Sequence, residues 1–223
     1  MRINDFKNYF PNLLNTPFLS ESVISDLISS LERQGWFSAE NIFPEAPLFL
    51  STCKDLYTSG DYFSEAMIGK NLNQVREPSI RKSEIFWLEQ NDTQLSPYVD
   101  PLFRSFDALK NILNESFFLS LKRWESQFAL YRKGGFYKKH LDQFKNNRHR
   151  QITLILYLND CPEGGELVLY NRDQKNIKDF IIKPKQGSMV IFFSNQIYHE
   201  VLPVTHPRYS ITTWFRDDLE VFL

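Results

Sequence analysis

An α+β fold, in which helices come first and a double-sheet β-core follows, is predicted from three features of the sequence. The chain has 223 residues, of which 42% are hydrophobic and 24% charged, as expected for a globular protein with one substantial core. Aromatic residues make up 15% of the chain and favour strands. Apolar residues recur at helical spacing before residue 124, whereas short alternating segments separated by turns follow it.

Two amphipathic helices are expected in the first half of the chain. Ser20 is a favourable N-cap, and the apolar residues that follow it at three- and four-residue steps predict a helix that ends near Gly35. A similar stripe over residues 97–121 predicts one long helix or two short ones. Residues 39–74 are interrupted by Pro and Gly and predict loops with at most a short helix, whereas residues 80–89 alternate and predict a strand.

The second half of the chain is expected to form the β-core. Seven short strands in fewer than 100 residues predict a sandwich or jelly roll, with the N-terminal helices packed on one sheet. We therefore expect one domain made of a helical supporting segment (1–123), a β-core (124–217) and a C-terminal tail (218–223). The predicted strands are residues 127–131, 151–158, 166–170, 179–183, 188–193, 199–204 and 208–215.

Charge and cysteine usage limit the classes of protein to consider. The formal net charge of −1 gives no general electrostatic reason to bind nucleic acid. Cys53 and Cys161 match no CxxC spacing, so reduced structural thiols are expected. The N-terminus has charges and a proline where a signal peptide needs an unbroken apolar stretch, and no segment has the length of a membrane span. These features predict a cytoplasmic protein without membrane association.

Three residues have the chemistry and spacing of a metal site. His140 and Asp142 stand two residues apart, so in an extended segment both side chains point to the same face. His199 begins a predicted strand 59 residues later and can supply a third ligand. Two imidazoles and one carboxylate on one face of an octahedral ion leave three positions open, which is the arrangement of Fe(II) oxygenases. His149 and His206 are expected to be solvated.

Arg208 is a candidate for binding the far end of a dicarboxylate. It lies nine residues after His199, far enough for the chain to pass the metal, turn, and return to the same pocket. A planar guanidinium is well suited to a carboxylate, and the period of two in a strand places Ser210, Thr212 and Trp214 on the same face as Arg208. A charged residue that heads an apolar strand needs a buried partner, which 2-oxoglutarate would supply. The alternative is a surface salt bridge.

Residues 128–217 resemble the prolyl-4-hydroxylase superfamily of 2-oxoglutarate oxygenases, and most closely the branch of oxygen-sensing, hypoxia-inducible-factor prolyl hydroxylases and their bacterial relatives. The resembling segments are FALYRKGGFYKKHLD, QITLILYLND, GGELVLY, SMVIFF, YHEVLPV and RYSITTWF. Residues 80–89 extend the resemblance weakly. In that strand the oxygen-sensing enzymes carry an acidic residue where this chain has Ser83, followed by Glu84.

The resemblance implies a distorted double-stranded β-helix of the jelly-roll, cupin-like type, with Fe(II), 2-oxoglutarate and O2 as cofactors and ascorbate as reductant. It gives His140, Asp142 and His199 as iron ligands. It also implies that Arg208 and Tyr157 bind the distal carboxylate of 2-oxoglutarate. Tyr157 lies in an apolar run, where a buried phenol would in any case need a hydrogen-bond partner.

Five further residues are expected around the iron and the substrate. Thr212 and Trp214 match positions that line the cofactor pocket, and Tyr131 and Tyr137 match aromatic residues beside the iron entrance, although packing in the core is an equal alternative for these four. We expect Tyr131, Tyr137 and Arg150 to contact the substrate.

The reaction predicted from this resemblance is hydroxylation of a C–H bond with release of succinate and CO2. A prolyl residue in a protein or peptide is the leading substrate, and a free amino acid or other small molecule is the alternative. A nucleic-acid demethylase would be expected to add a basic groove and aromatic residues that grip an extruded base. A metal-free binding module would not be expected to keep the complete set of candidate ligands.

Basic residues are concentrated around the first two candidate ligands. Residues 132–150 contain seven of them and one acid, Asp142. This excess predicts a positive rim that favours an acidic protein segment flanking the target residue. A solvated strand edge that uses lysine for solubility is the alternative. The rim residues are Arg132, Lys133, Lys138, Lys139, Lys145, Arg148 and Arg150.

Overall fold

The computed structural model describes residues 19–59, 63–67, 77–89, 96–143 and 147–219. The helices are α1 (Glu21–Gln34), α2 (Ala46–Ser59) and α3 (Ser96–Phe117). The strands are β1 (Trp36–Ala39), β2 (Ser64–Glu65), β3 (Arg81–Lys82), β4 (Glu84–Leu88), β5 (Arg123–Tyr131), β6 (Phe136–His140), β7 (Arg150–Tyr157), β8 (Leu167–Tyr170), β9 (Lys178–Ile182), β10 (Met189–Phe193), β11 (His199–Val201) and β12 (Arg208–Arg216).

The strands form two antiparallel sheets, which confirms the predicted α+β class with a double-sheet core. The seven-stranded sheet has the order β1-β10-β7-β12-β5-β4-β2, and the five-stranded sheet has the order β3-β6-β11-β8-β9. Neighbouring strands are mostly distant in sequence, as in a jelly roll. Strands β1 to β4 come from the segment before residue 124 and belong to both sheets. Three of them form hydrogen bonds with strands of the β-core: β1 pairs with β10, β3 with β6, and β4 with β5, whereas β2 pairs with β4.

The helices pack against one face of the seven-stranded sheet, as the sequence predicted. Leu31 of α1, Phe49 of α2 and Phe106 of α3 join one buried cluster with Phe128 and Phe215 of the sheet. The opposite face of the same sheet contributes a second buried cluster together with the five-stranded sheet. The side chains that alternate along β5, β7 and β12 therefore divide between a helix-packed core and the space between the sheets.

Helix α1 begins and ends where the sequence predicted. The hydroxyl of Ser20 accepts a hydrogen bond from the backbone N–H of Val23 at 3.4 Å. Gly35 ends the helix with φ of 85°, a left-handed conformation in which a side chain is strained. An added Cβ at this position would also lie 3.1 Å from Ile197 Cδ1.

The segment predicted as loops contains more regular structure than expected. Residues 46–59 form the 14-residue helix α2, and residues 64–65 form strand β2. The spacing of Phe49 and Cys53, both buried, is helical, but the prolines at 44 and 47 obscured it because they read as breaks. A proline is compatible with the first turn of a helix, where its missing N–H has no intrahelical partner.

The strand predicted at residues 80–89 is divided between the two sheets. Strand β3 pairs with β6 in the five-stranded sheet, and β4 pairs with β5 in the seven-stranded sheet. The break is at Ser83, which is buried and whose hydroxyl accepts a hydrogen bond from Arg81 Nε at 2.8 Å. Alternation of side chains continues through such a crossing, so the pattern alone did not reveal it.

Other differences lie at strand boundaries. Strands β1, β2 and β6 were not predicted, β5 begins four residues before residue 127, and β11 ends at Val201 instead of residue 204. Strand β6 contains two lysines and so lacked the expected apolar alternation. Cys53 and Cys161 are buried and unpaired, as expected of structural thiols. Within the described ranges, no helix combines the length and the hydrophobicity needed to cross a membrane.

Candidate active site

Three candidate metal ligands converge between β6 and β11. His140 ends β6, His199 begins β11, and the two residues are Cα partners across this antiparallel pair. His140 Nε2 lies 3.3 Å from Asp142 Oδ1, and His199 Nε2 lies 3.6 Å from Asp142 Oδ2. The ligand atoms of all three residues lie within 4.8 Å of one another. The arrangement therefore fits one metal ion held by two imidazoles and one carboxylate.

Backbone carbonyls set the orientation of both imidazoles. His140 Nδ1 lies 2.7 Å from the carbonyl oxygen of Lys138, and His199 Nδ1 lies 3.1 Å from that of Ile197. Each Nδ1 therefore carries the proton and donates it, which leaves the lone pair of Nε2 for a metal. The Thr153 hydroxyl donates to Asp142 Oδ2 at 2.9 Å. Thr153 was not singled out in the sequence, where only its position within an apolar run indicated that its hydroxyl would need a partner.

The protonation states of Asp142 and His199 are those that bind a metal. Burial by itself would raise the pKa of Asp142, but His199 and His140 reverse this effect and hold the pKa below its usual range. Burial lowers the pKa of His199 to about 4, with repulsion from His140 as the next cause. The carboxylate is therefore ionised and this imidazole neutral near neutral pH.

Aromatic and cationic groups pack against His140. The Tyr137 ring stacks on the imidazole with 3.5 Å between ring centroids and 20° between ring planes. The Arg81 guanidinium lies 4.7 Å from the centroid of the Tyr137 ring. Arg81 was not predicted as a site residue, because it reaches Tyr137 only through the pairing of β3 with β6. Burial raises the pKa of Tyr137 to about 12, so its phenol stays protonated.

Arg208 and Tyr157 form a buried polar pair with unsatisfied donors. Arg208 is 1% exposed and makes no ion pair within the described part of the chain, so the alternative of a surface salt bridge is wrong. Its guanidinium lies 4.9 Å from the Tyr157 ring, and its Nη1 lies 3.4 Å from the Ser210 hydroxyl. Arg208 Nε and the Tyr157 hydroxyl are buried, and neither has a hydrogen-bond partner among the described residues.

This pair fits a bound carboxylate. Burying Arg208 Nε and the Tyr157 hydroxyl without hydrogen-bond acceptors destabilises the protein by roughly several kcal/mol. A ligand that supplies acceptors to both groups would offset that cost. Arg208 lines the same cavity as the three candidate metal ligands. An anionic group held by Arg208 can therefore belong to a molecule that also reaches the metal, which is the position that the resemblance implies for 2-oxoglutarate.

The other predicted residues lie in or next to this cavity. Tyr131, Tyr137, Thr212 and Trp214 line it. Arg150 lies behind Trp214, with its guanidinium 3.8 Å from the indole ring, and Nη2 forms an ion pair with Glu125 at 2.6 Å. The structure thus brings all of the predicted site residues into one region.

An exposed tryptophan extends the lining towards solvent. Trp87 of β4 is 41% exposed and packs against Trp214 with 6.0 Å between ring centroids. The sequence analysis did not single it out, because its proximity to the cavity depends on the order of strands in the sheet. Gln127 lines the cavity itself and was also missed. A buried amide in an apolar strand is the signal that could have identified it.

The remaining histidines do not form a comparable site. His149 and His206 are exposed, as expected. His149 Nδ1 lies 2.8 Å from Asp217 Oδ1, and Asp218 is close enough to complete a second His/Asp group. Asp218, however, already accepts hydrogen bonds from Arg216.

Two histidines and one aspartate that converge between the sheets of a jelly roll match the ligand set of non-haem iron oxygenases. Residues 126–216 match the model of the 2OG-Fe(II) oxygenase superfamily. The matched segment contains His140, Asp142, His199 and Arg208, so this part of the chain is similar to a superfamily of enzymes that use Fe(II), 2-oxoglutarate and O2.

Prolyl hydroxylases are among the relatives and solved structures to which the chain is similar. The chain is 28% identical to the hypoxia-inducible factor prolyl hydroxylase of Caenorhabditis elegans over 89% of its own length, and it spans 29% of the length of that relative. A Pseudomonas putida prolyl-4-hydroxylase structure is 27% identical with a TM-score of 0.75, covering 88% of this chain and 100% of that one. A Trichoplax adhaerens prolyl hydroxylase, solved with a hypoxia-inducible-factor peptide fragment, is 25% identical with a TM-score of 0.76, covering 88% and 90%.

Replacement of Tyr157 by phenylalanine tests the contribution of its hydroxyl. We expect the KM for 2-oxoglutarate to rise by roughly 10-fold, because a hydrogen bond from a neutral hydroxyl to a carboxylate falls at the low end of the about 1.5–3 kcal/mol of bonds to charged groups. The kcat should change little. Steady-state turnover at varied 2-oxoglutarate concentration measures both quantities, and a KM equal to that of the wild type would exclude a hydrogen bond from this phenol.

Proposed function

We propose that this chain hydroxylates a prolyl residue in a protein or peptide and releases succinate and CO2. The observation that carries the proposal is the buried Arg208 and Tyr157 pair, with unsatisfied donors, at the cavity that also receives the His140, Asp142 and His199 side chains. The named relatives support the choice of a prolyl substrate.

Each site residue has a defined task in this proposal. His140, Asp142 and His199 would hold the iron, and Arg208 would donate to the distal carboxylate of 2-oxoglutarate together with Tyr157. When bound, Fe(II) and 2-oxoglutarate supply the oxidising chemistry, whereas the protein binds, orients and excludes water. Thr212 and Trp214 would form the walls beside the cosubstrate. The indole N–H of Trp214 is buried and has no partner among the described residues, so it is a further donor available to a ligand.

Aromatic side chains would receive the substrate. Tyr131 and Tyr137 line the cavity, and Trp87 with Trp214 makes an apolar surface that continues towards solvent. A pyrrolidine ring is mainly apolar and packs well against such rings. Arg150 is held behind Trp214 by Glu125, so it would act on the substrate through the position of the indole as much as by direct contact.

The direct test is mass spectrometry of peptides after treatment with the enzyme. A proline-containing peptide library made from cell extract would be incubated with the protein, Fe(II), 2-oxoglutarate and ascorbate. We expect prolyl residues in a subset of peptides to gain the mass of one oxygen atom, with no gain in the Asp142→Ala control. Turnover stimulated by free amino acids or by single-stranded nucleic acid, without modified proline, would contradict the prolyl assignment and favour one of the other substrate classes.

The basic rim is less uniform in the structure than in the sequence. Arg132 forms an ion pair with Glu84 at 2.5 Å, and Arg150 pairs with Glu125. The Lys139 ammonium lies 4.0 Å from the centroid of the Tyr170 ring, and the Lys138 side chain is exposed. Lys145 lies outside the described residues. The two arginines therefore have acidic partners. Lys138 and Lys139, which directly precede His140, are the basic rim residues that we expect to act on a substrate.

Reversal of charge at Lys138, Lys139 and Lys145 together tests whether the rim attracts an acidic substrate. We expect the triple Glu variant to raise the KM for the peptide substrate while turnover of 2-oxoglutarate without substrate is unchanged. Added salt should weaken substrate binding to the wild type, because exposed charges are screened beyond about 10 Å at 0.1 M ionic strength. Absence of both effects would leave solubility as the role of these lysines.

A further inference from the structure

The three candidate metal ligands are held by different parts of the fold. His140 and His199 are Cα partners in the β6–β11 ladder, and a backbone carbonyl two residues earlier in the chain orients each imidazole. Asp142 lies two residues beyond the end of β6 and outside the ladders of both sheets. The orientation of its carboxylate therefore depends on the side chains that contact it.

Two hydroxyl groups of the seven-stranded sheet contact this carboxylate in series. The hydroxyl of Thr153, in the middle of β7, lies 2.9 Å from Asp142 Oδ2, and the hydroxyl of Ser194, directly after β10, lies 2.7 Å from that of Thr153. Strands β7 and β10 are neighbours, and the Ser194 backbone N–H donates to the Gln151 carbonyl oxygen at 3.0 Å, so the ladder holds the two hydroxyls side by side. Thr153 and Ser194 are both 0% exposed, so water does not compete for these bonds.

The chemistry of the groups fixes the direction of both hydrogen bonds. A carboxylate that binds a metal is ionised and only accepts, so the Thr153 hydroxyl donates to Asp142. A hydroxyl has one hydrogen to donate, so the Thr153 oxygen accepts the second bond and Ser194 donates it. The bonds therefore run from Ser194 through Thr153 to Asp142, and each polarises the next. Because both imidazoles keep Nε2 for the metal, Thr153 is the one hydrogen-bond donor to this carboxylate among the described residues.

We propose that Thr153 and Ser194 are positioning residues that set the orientation of the Asp142 carboxylate and thereby the affinity of the site for Fe(II). Rotation of the carboxylate away from the imidazoles would break the bond to Thr153 and leave a buried hydroxyl without its acceptor, so the empty site keeps the geometry that binds the ion. The inference rests on the assignment of the three metal ligands in the proposed function, but not on the identity of the substrate.

Equilibrium dialysis against Fe(II), without oxygen, 2-oxoglutarate or substrate, measures the metal affinity directly. Thr153→Val keeps the branched shape of the side chain and removes the hydroxyl. We expect it to raise the Kd for Fe(II) by roughly 10- to 100-fold, the usual effect of losing a group that orients a metal ligand. Thr153→Ser keeps the hydroxyl and is expected to bind Fe(II) nearly as tightly as the wild type. Ser194→Ala leaves the Thr153 donor in place and is expected to raise the Kd by roughly 2- to 10-fold, as for the loss of one neutral hydrogen bond.

A double variant distinguishes a relay from two independent contacts. If Ser194 acts only through Thr153, adding Ser194→Ala to Thr153→Val leaves the Kd of the Thr153 variant unchanged.

A second pair of buried hydroxyls in the same sheet provides the matched control. Ser126 Oγ lies 2.9 Å from Thr213 Oγ1, and both residues are buried. Thr213 alternates along β12 with residues of the helix-packed cluster, so it lies on the face of the sheet away from the metal ligands. Thr213→Val is therefore expected to lower the melting temperature without changing the Kd for Fe(II).

Thermal unfolding of the metal-free proteins shows which variants are folded. A wild-type Kd in folded Thr153→Val would overturn the proposal, and if that variant does not fold, a wild-type Kd in Ser194→Ala would do so. Equal weakening by Thr153→Ser or by Thr213→Val would also overturn it, because loss of the Thr153 hydroxyl would not then be the cause. A further loss in the double variant would exclude a relay. Absence of Fe(II) binding by the wild type, or unchanged binding by Asp142→Ala, would instead contradict the metal site itself and this inference with it.

Discussion

Replacement of Asp142 by alanine is expected to reduce 2-oxoglutarate turnover to background. The three candidate ligands include a single carboxylate, and no other acidic side chain lines the cavity in the described part of the chain. Its loss also leaves the two imidazoles without the charge that faces them at 3.3 and 3.6 Å. His140→Ala and His199→Ala are expected to have the same effect, because three protein ligands leave no spare donor. Succinate release measures the activity, and titration with Fe(II) under anaerobic conditions measures the loss of metal binding.

The second His/Asp pair provides a matched control for these substitutions. His149 and Asp217 are bonded to each other at 2.8 Å but lie away from the cavity lining. His149→Ala and Asp217→Ala are therefore expected to keep both iron binding and turnover. All variants should remain folded, since the two hydrophobic clusters are formed without the ligand side chains. Substantial turnover in any one variant of the three candidate ligands would remove that residue from the metal site.

Replacement of Arg208 by methionine is expected to raise the KM for 2-oxoglutarate by roughly 10- to 150-fold. A hydrogen bond to a charged group contributes about 1.5–3 kcal/mol, which corresponds to this range. Methionine keeps most of the side-chain volume, so the cavity left behind is small. Arg208→Lys should be intermediate, because an ammonium keeps the charge but not the planar pair of donors.

The stability of the same variant separates ligand binding from folding. In the wild type without 2-oxoglutarate, the buried guanidinium has an unsatisfied Nε and no ion pair within the described residues. Removal of this charge is therefore not expected to lower the melting temperature of the ligand-free protein, whereas the increase that 2-oxoglutarate gives the wild type should disappear. A large loss of stability without ligand would mean that Arg208 supports the fold. A KM equal to that of the wild type would show that it does not bind 2-oxoglutarate.

The sequence predicted those parts of the site that depend on local spacing. His140 and Asp142 share a face because they are two residues apart, and the face of β12 that carries Arg208, Thr212 and Trp214 follows from the same period. Helix α1 was predictable at both ends because its capping residues are local signals. The resemblance of residues 128–217 added the functional meaning of these positions.

Residues whose placement depends on strand order could not be found in this way. Arg81 reaches Tyr137, which stacks on His140, only because the chain crosses between the sheets at Ser83 and β3 pairs with β6. Trp87 reaches Trp214 only because β4 lies beside β5, which pairs with β12. Charge density along the chain was likewise a poor guide to the rim, since Arg132 and Arg150 have acidic partners that are distant in sequence. These contacts are set by the tertiary fold, which a local pattern does not encode.

The assignment of His140, Asp142 and His199 as an iron site that also receives 2-oxoglutarate is tested most directly by one anaerobic titration. The purified protein would be loaded with Fe(II) in the absence of oxygen, and 2-oxoglutarate would be added while the visible absorption spectrum is recorded. Chelation of the iron by a 2-oxo acid gives a metal-to-ligand charge-transfer band. We predict that this band appears and saturates in the wild type, needs more 2-oxoglutarate in Arg208→Met, and is absent from Asp142→Ala. A wild-type protein that is folded and loaded with Fe(II) but develops no band at saturating 2-oxoglutarate would contradict the assignment.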